Sequence, residues 1–200
     1  MQKTTNLFTL IILAIVSLLS YFMAVNTPTT FFTQFSGLTA FMLLCITLII
    51  GPLVVLNPKV FAPLLEPRRS IGIITFVFVL IHFFSVLIWG FQWNFLLIFN
   101  FPPIVIGFFA AVLMSILFLT SNDYSMRKLG KWWKRIHRLN YIIFILAFIH
   151  FVWMSGIFSG FDQLNIVEFI MMILGVITII LQVSGFVKRK RMSSNKSNNV

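Results

Sequence analysis

"KRIHRLNYIIFILAFIHFVWM", residues 134–154, opens on three cations, Lys134, Arg135 and Arg138, and then runs on as an apolar stretch. Roughly 20 apolar residues are needed to cross about 30 Å of hydrocarbon, and cations gather at the cytoplasmic end of such a span. The stretch therefore reads as a transmembrane helix that starts in the cytoplasm. It also carries two of the chain's three histidines, His137 and His150, which a purely lipid-facing helix has no reason to keep.

The remainder of the 200 residues repeats the pattern. Hydrophobic residues make up 60% and charged residues 10%, with a mean hydropathy of +1.02, beyond what a soluble fold of this size needs. Apolar runs lie at 7–25, 35–56, 71–91, 102–120, 136–154 and 166–187, separated by loop signals at Asn26-Thr27-Pro28, Asn57-Pro58, Pro102-Pro103 and Ser155-Gly156. The expected fold is an all-α integral membrane protein. It is a single bundle of six transmembrane helices over 1–187, with a basic, disordered tail over 188–200. No internal repeat is visible, and Gly51-Pro52 offers a bend in the second span.

Fifteen Lys plus Arg against four Asp plus Glu give a net charge of +11. In a soluble chain that excess would suggest nucleic acid; here the cations sort by loop and nucleic acid is excluded as a partner. Lys3 precedes the first span, and Lys59, Arg68 and Arg69 lie between the second and third. Arg127, Lys128, Lys131, Lys134, Arg135 and Arg138 lie between the fourth and fifth, and Lys188, Arg189, Lys190, Arg191 and Lys196 follow the sixth. The other loops hold none, so both termini are expected in the cytoplasm, with the tail against anionic lipid. The first helix reads as retained and not as a signal peptide. Trp89, Trp93 and Trp153 mark the outer interface and Trp132 and Trp133 the inner one. The single cysteine, Cys45, sits in an apolar run and reads as a small core residue.

The third and fifth spans both run from inside to outside, so depths on them can be compared. His82 is thirteen residues beyond Arg69 and His150 twelve beyond Arg138, which at about 1.5 Å per residue puts both some 18–20 Å above the inner charged rim. Either histidine alone could bond a helix carbonyl or a hydroxyl such as Ser85. Two at matched depth on parallel helices suit a flat apolar macrocycle whose iron takes an imidazole on each face, a bis-histidine haem. Phe83, Phe84 and Phe151 stand beside them as candidate walls. With no thiolate or carboxylate nearby, zinc is disfavoured. His137 lies about 20 Å below His150 at the cytoplasmic rim. It could ligate a second haem, or hydrogen-bond a haem propionate, a flavin phosphate or a lipid. Arg68, Arg69 and Arg138 are candidate anion partners, and also ordinary positive-inside residues.

"EPRRSIGIITFVFVLIHFF" (66–84) and "TSNDYSMRKLGKWWKRIHRLNYIIFILAFIH" (120–150), with "SGLTAFMLLCITLIIGPLVVL" (36–56), resemble the ferric-reductase-like transmembrane family, and within it the MsrQ (YedZ-like) branch. The resemblance covers about 36–187. It implies a six-helix b-type cytochrome of the plasma (inner) membrane. Its haem b, one or two per chain, would be held by His82, His150 and His137, and flavin mononucleotide is reported to bind in the family. It further implies an oxidoreductase component that takes electrons from a cytoplasmic flavin reductase or the quinone pool. The acceptor would be an extracytoplasmic, molybdopterin-containing methionine sulfoxide reductase subunit. Larger relatives carry two histidines on each of two helices and a fused nicotinamide domain. Here the third span has one histidine and no glycine-rich dinucleotide loop is present, so a separate donor is required. A stand-alone ferric reductase, and a transporter or structural membrane protein without haem, are the rival readings.

Overall fold

The computed structural model describes residues 2–24, 28–155 and 165–197. Among the described residues the chain is helical throughout, with no strand. The helices are α1 (Gln2–Met23), α2 (Pro28–Leu56), α3 (Pro58–Phe61), α4 (Arg68–Ser85), α5 (Pro102–Leu119), α6 (Asp123–Leu129), α7 (Lys131–Ile136), α8 (Leu139–Met154) and α9 (Ile166–Ser197). Five stretches are long and apolar enough to cross a membrane: Thr30–Leu56, Arg68–Gly90, Pro102–Leu119, Lys131–Met154 and Ile166–Ser194. In α1 the apolar stretch Leu7–Met23 is shorter. Asn26, Thr27 and Gly156, and Asn198 to Val200 of the tail, lie outside the described residues.

Helix ends follow the local chemistry. Pro102 and Pro103 occupy the first turn of α5, where a missing N–H costs nothing. Asn165 and Glu168 form a reciprocal capping box at the start of α9: Glu168 N–H donates to Asn165 Oδ1 at 2.9 Å, and Asn165 N–H to Glu168 Oε2 at 3.1 Å. The basic segment between α5 and α8 is not irregular, for it folds into the short helices α6 and α7. Asn122 caps α6 by accepting from Ser125 N–H at 2.7 Å, and Gly130 at φ 49° separates the two. Arg69 clips this loop to the start of α4 through Asp123 and the carbonyl of Ser121. The guanidinium holds the Asp123 carboxyl below the usual carboxylate range.

α2 is the central helix. It packs on α1, α4, α8 and α9, while α5 packs on α8. Every residue from Ala40 to Cys45 is buried, so this helix is apolar all round and lies inside the bundle. Pro52 does not end it; the proline sits buried in the crossing with α9, where Gly185 comes up against it. Two buried hydroxyls bond back to their own helix, Thr75 to Ile71 O and Thr178 to Leu174 O, both at 2.8 Å, which satisfies them within the bundle.

Two segments differ from the sequence expectation. The helix of the sixth span does not stop near 187: α9 takes the basic residues 188–197, expected as a disordered tail, into the same helix. Extending an existing helix needs no new nucleus, and cations favour its C-terminal end. Beyond Ser85 the third span loosens into a π turn over Val86–Gly90, then turns sharply through Gln92 (φ 48°) and Trp93 (φ 66°).

Candidate functional site

His82 on α4 and His150 on α8 face each other across a cavity of about 360 Å³. Their ring centres are 6.3 Å apart and their planes cross at 74°. The matched depths read from the sequence are thus matched positions in space. The walls are apolar for the most part, with Phe83, Phe151, Met114 and Ile143 among them, and a polar fringe of Thr33, Gln34, Ser155, Asn165 and Glu168 lies toward the helix ends opposite the basic loops. Phe41 stacks on Phe151 at 5.4 Å and backs this wall. Phe84, expected beside the ligands, does not line the cavity and is exposed, since it lies on the lipid side of α4.

Each imidazole is oriented by a backbone carbonyl of a neighbouring helix. His82 Nδ1 lies 2.9 Å from Thr33 O on α2, and His150 Nδ1 lies 2.7 Å from Pro103 O on α5. A carbonyl only accepts, so each Nδ1 must carry the proton and donate, which leaves each Nε2 with its lone pair. Ser85 is not the partner of the His82 ring; its hydroxyl donates to the His82 carbonyl at 2.8 Å.

A metal–imidazole bond is about 2 Å and the ring centre lies roughly 1 Å behind the nitrogen, so two imidazoles sharing one metal have centres about 6 Å apart. The observed separation matches that figure. An Nδ1–H given to a carbonyl is also the usual outer support of a metal-binding histidine. Among the described residues no group of three or more His, Cys, Asp or Glu comes together, so an ion held by side chains alone would be under-coordinated. A macrocycle that supplies its own equatorial ligands needs only the axial pair. The residues present therefore fit a haem.

The remaining candidates gather at a second cavity of about 410 Å³ nearer the basic helix ends, lined by Arg68, Arg69, Lys134, His137 and Arg138. His137 is held differently from the other two. Its ring stacks on Trp133 at 4.1 Å, and its Nε2 meets Thr120 Oγ1 at 3.3 Å. The Thr120 hydroxyl already donates to Ile116 O at 2.8 Å, so His137 Nε2–H is the donor to it. Trp133, read from the sequence as an interfacial anchor, is a packing partner of His137 whose indole N–H donates to Thr120 O at 2.9 Å. Arg69 is committed in part to Asp123, while Arg68 and Arg138 stand on the cavity wall. Leu44 and Met114, both buried, line both cavities, so the partition between them is one side chain thick in places.

The sequence profile described as "Ferric reductase like transmembrane component" matches residues 36–148. The chain belongs to this family. Among similar curated proteins, the Bordetella pertussis protein-methionine-sulfoxide reductase heme-binding subunit MsrQ is 38% identical over 130 residues, covering 63% of this chain and 62% of the relative. The MsrQ of Brucella anthropi is 36% identical over 129 residues, covering 62% and 57%. The chain thus spans about three-fifths of the length of these relatives. The family match includes α4, α5 and most of α2 and α8, and so takes in His82 and His137 and stops two residues short of His150.

Gly37 and Gly107, and the carbonyls of Thr33 and Pro103, are parts of the site that the sequence does not mark out. A backbone carbonyl leaves no mark in a sequence. The glycines do, but a glycine in a membrane helix is too common to single out.

Proposed function

We propose that the chain is a b-type cytochrome subunit of the plasma (inner) membrane, crossing it six times with both termini in the cytoplasm. It carries electrons from a cytoplasmic flavin reductase or the quinone pool outward, to a molybdopterin-containing methionine sulfoxide reductase subunit. Residues 1–187 form the one haem-binding domain, and the basic segment from Lys188 lies against the inner leaflet. The observation that carries the reading is the close pair His82 and His150, each with Nδ1 engaged so that Nε2 keeps its lone pair, and both lining one apolar cavity. The names of the relatives, heme-binding subunits of a methionine sulfoxide reductase, support the same role and the same partner.

When bound, haem supplies one-electron chemistry at the depth of the two imidazoles. The protein does the rest. His82 and His150 would hold the haem iron, and the Thr33 and Pro103 carbonyls fix their tautomer and raise their basicity. Phe83, Phe151 and Met114 keep water out of the cavity. At the inner cavity Arg68, Lys134 and Arg138 suit an anionic group, such as a propionate, a flavin phosphate or a lipid head group. His137 serves there as a rim group, since its Nε2 is given to Thr120 and no second imidazole lines that cavity.

The function is tested in proteoliposomes with the donor enclosed and acceptors outside. Outward electron flow to the soluble reductase, lost in His82→Ala, is expected. Equal rates to ferric chelates with no soluble reductase would instead favour the stand-alone ferric reductase, and no transfer to either acceptor would end both.

A further inference from the structure

The two histidines are docked by the same local device, on different helix pairs. His82 of α4 lies against Gly37 of α2, and a Cβ built at Gly37 would fall 2.9 Å from His82 Nδ1 and 3.0 Å from Cε1. His150 of α8 lies against Gly107 of α5, and a Cβ there would fall 2.9 Å from His150 Nδ1 and 3.0 Å from Cε1. Contacts that short do not occur between real atoms of these types, so an alanine at either place must displace the ring. The carbonyls that accept from the two rings, Thr33 O and Pro103 O, belong to the residues four before each glycine. In the i to i+4 register of a helix, these are the carbonyls already paired with the glycine N–H. A carbonyl has two lone pairs, so it can take a second donor, provided nothing on the next turn blocks the approach. Missing the Cβ is what opens that approach.

We propose that Gly37 and Gly107 are positioning residues for the two axial imidazoles. Each forms a notch that lets a histidine ring slide over a helix turn and reach the carbonyl behind it, which sets both the tautomer and the ring plane. The crossing of the planes at 74° follows from the orientations of two separate notches. The pairing Gly37 with His82 and Gly107 with His150 recurs although the sequence shows no repeat, because the constraint is steric and needs only one matched residue on each partner helix.

The inference rests on the haem reading above, and the test separates the two. The purified full-length protein is compared with Gly37→Ala, Gly107→Ala and the control Gly90→Ala, whose Cβ would meet only Val86 Cγ1 at 3.8 Å. The readouts are the low-spin electron paramagnetic resonance spectrum and the midpoint potential. The unmodified protein and the control should share one strongly anisotropic low-spin signal, as near-perpendicular imidazoles give. Each notch variant should move or split that signal, or lose part of it to high spin. The potential should rise, because losing the Nδ1–H···O=C bond lowers the basicity of the ligand. Wild-type protein without a haem spectrum would remove the haem reading itself. A haem spectrum and potential unchanged in both notch variants would overturn the positioning role alone. Should neither variant accumulate, electron–nuclear double resonance on the unmodified protein decides: an exchangeable, hydrogen-bonded Nδ1 proton on both ligands is expected, and its absence from either one overturns the proposal.

Discussion

Phe41→Ala probes how the packing of α2 holds the histidine cavity. Phe41 is 6% exposed and its ring lies parallel to three others, Phe144 at 6.2 Å, Phe148 at 6.1 Å and Phe151 at 5.4 Å. It also lines the cavity between His82 and His150. In a soluble protein its truncation would cost about 3–5 kcal/mol, part of it the transfer of the side chain to water. In a bilayer the unfolded helix leaves the ring among lipid chains, so the transfer part falls away and the packing part remains. The substitution removes roughly 100 Å³, and at about 24 cal/mol per Å³ the lost packing is about 2.4 kcal/mol. That is roughly a 50-fold shift in the unfolding equilibrium. Unfolding in bicelles, by steric trapping or detergent titration, reads this directly, and the enlarged cavity should release haem faster. A loss below about 0.5 kcal/mol with unchanged haem release would refute the claim that this aromatic stack packs the site.

Gly185→Leu should separate α9 from α2, because even a Cβ at Gly185 would lie 3.0 Å from Pro52 Cα, a backbone atom that cannot step aside; a destabilisation of about 1–3 kcal/mol is expected in the same unfolding assay. Trp133→Leu should free the His137 ring and the Thr120 carbonyl together, while leaving the spectrum of the His82–His150 site unchanged; a shift in that spectrum would contradict the separation of the two cavities. The Arg69–Asp123 clip has a definite pH sense: Asp123 is held below its usual range, so the clip is intact above the free carboxylate value near pH 4 and is lost as pH falls through the lowered one. Proteolysis within 123–130 should therefore rise on acidification, and Asp123→Asn should show the acid-state rate at neutral pH.

The membrane class and the alternation of basic loops were legible because hydropathy and charge act residue by residue. Helix 166–197 was less so: where an apolar run ends, composition says only that the environment changes, and the backbone continued through Lys188 to Ser197 because nothing broke it. Between the fourth and fifth spans the sequence showed only a cluster of cations, yet Asn122 and Gly130 carry the cap and break of two short helices. The pairing of His82 with His150 was legible from depth alone, since parallel helices convert sequence offset into height. What orients them was not, for Thr33 and Pro103 contribute only carbonyls and Gly37 and Gly107 contribute the lack of an atom. The role of Trp133 was hidden for a different reason: an interfacial tryptophan and a tryptophan stacked on His137 look the same in a sequence.

The central claim is that residues 82 and 150 grip one iron from its two sides. Reduced-minus-oxidised absorption spectra with haem counts per polypeptide, taken on the wild type, His82→Ala, His150→Ala and His137→Ala, test it most directly. The account predicts one low-spin b-type haem in the wild type and in His137→Ala, and its loss in each of the other two. Full retention of that spectrum in His82→Ala or His150→Ala, or no haem in the wild type from haem-replete cells, would contradict it.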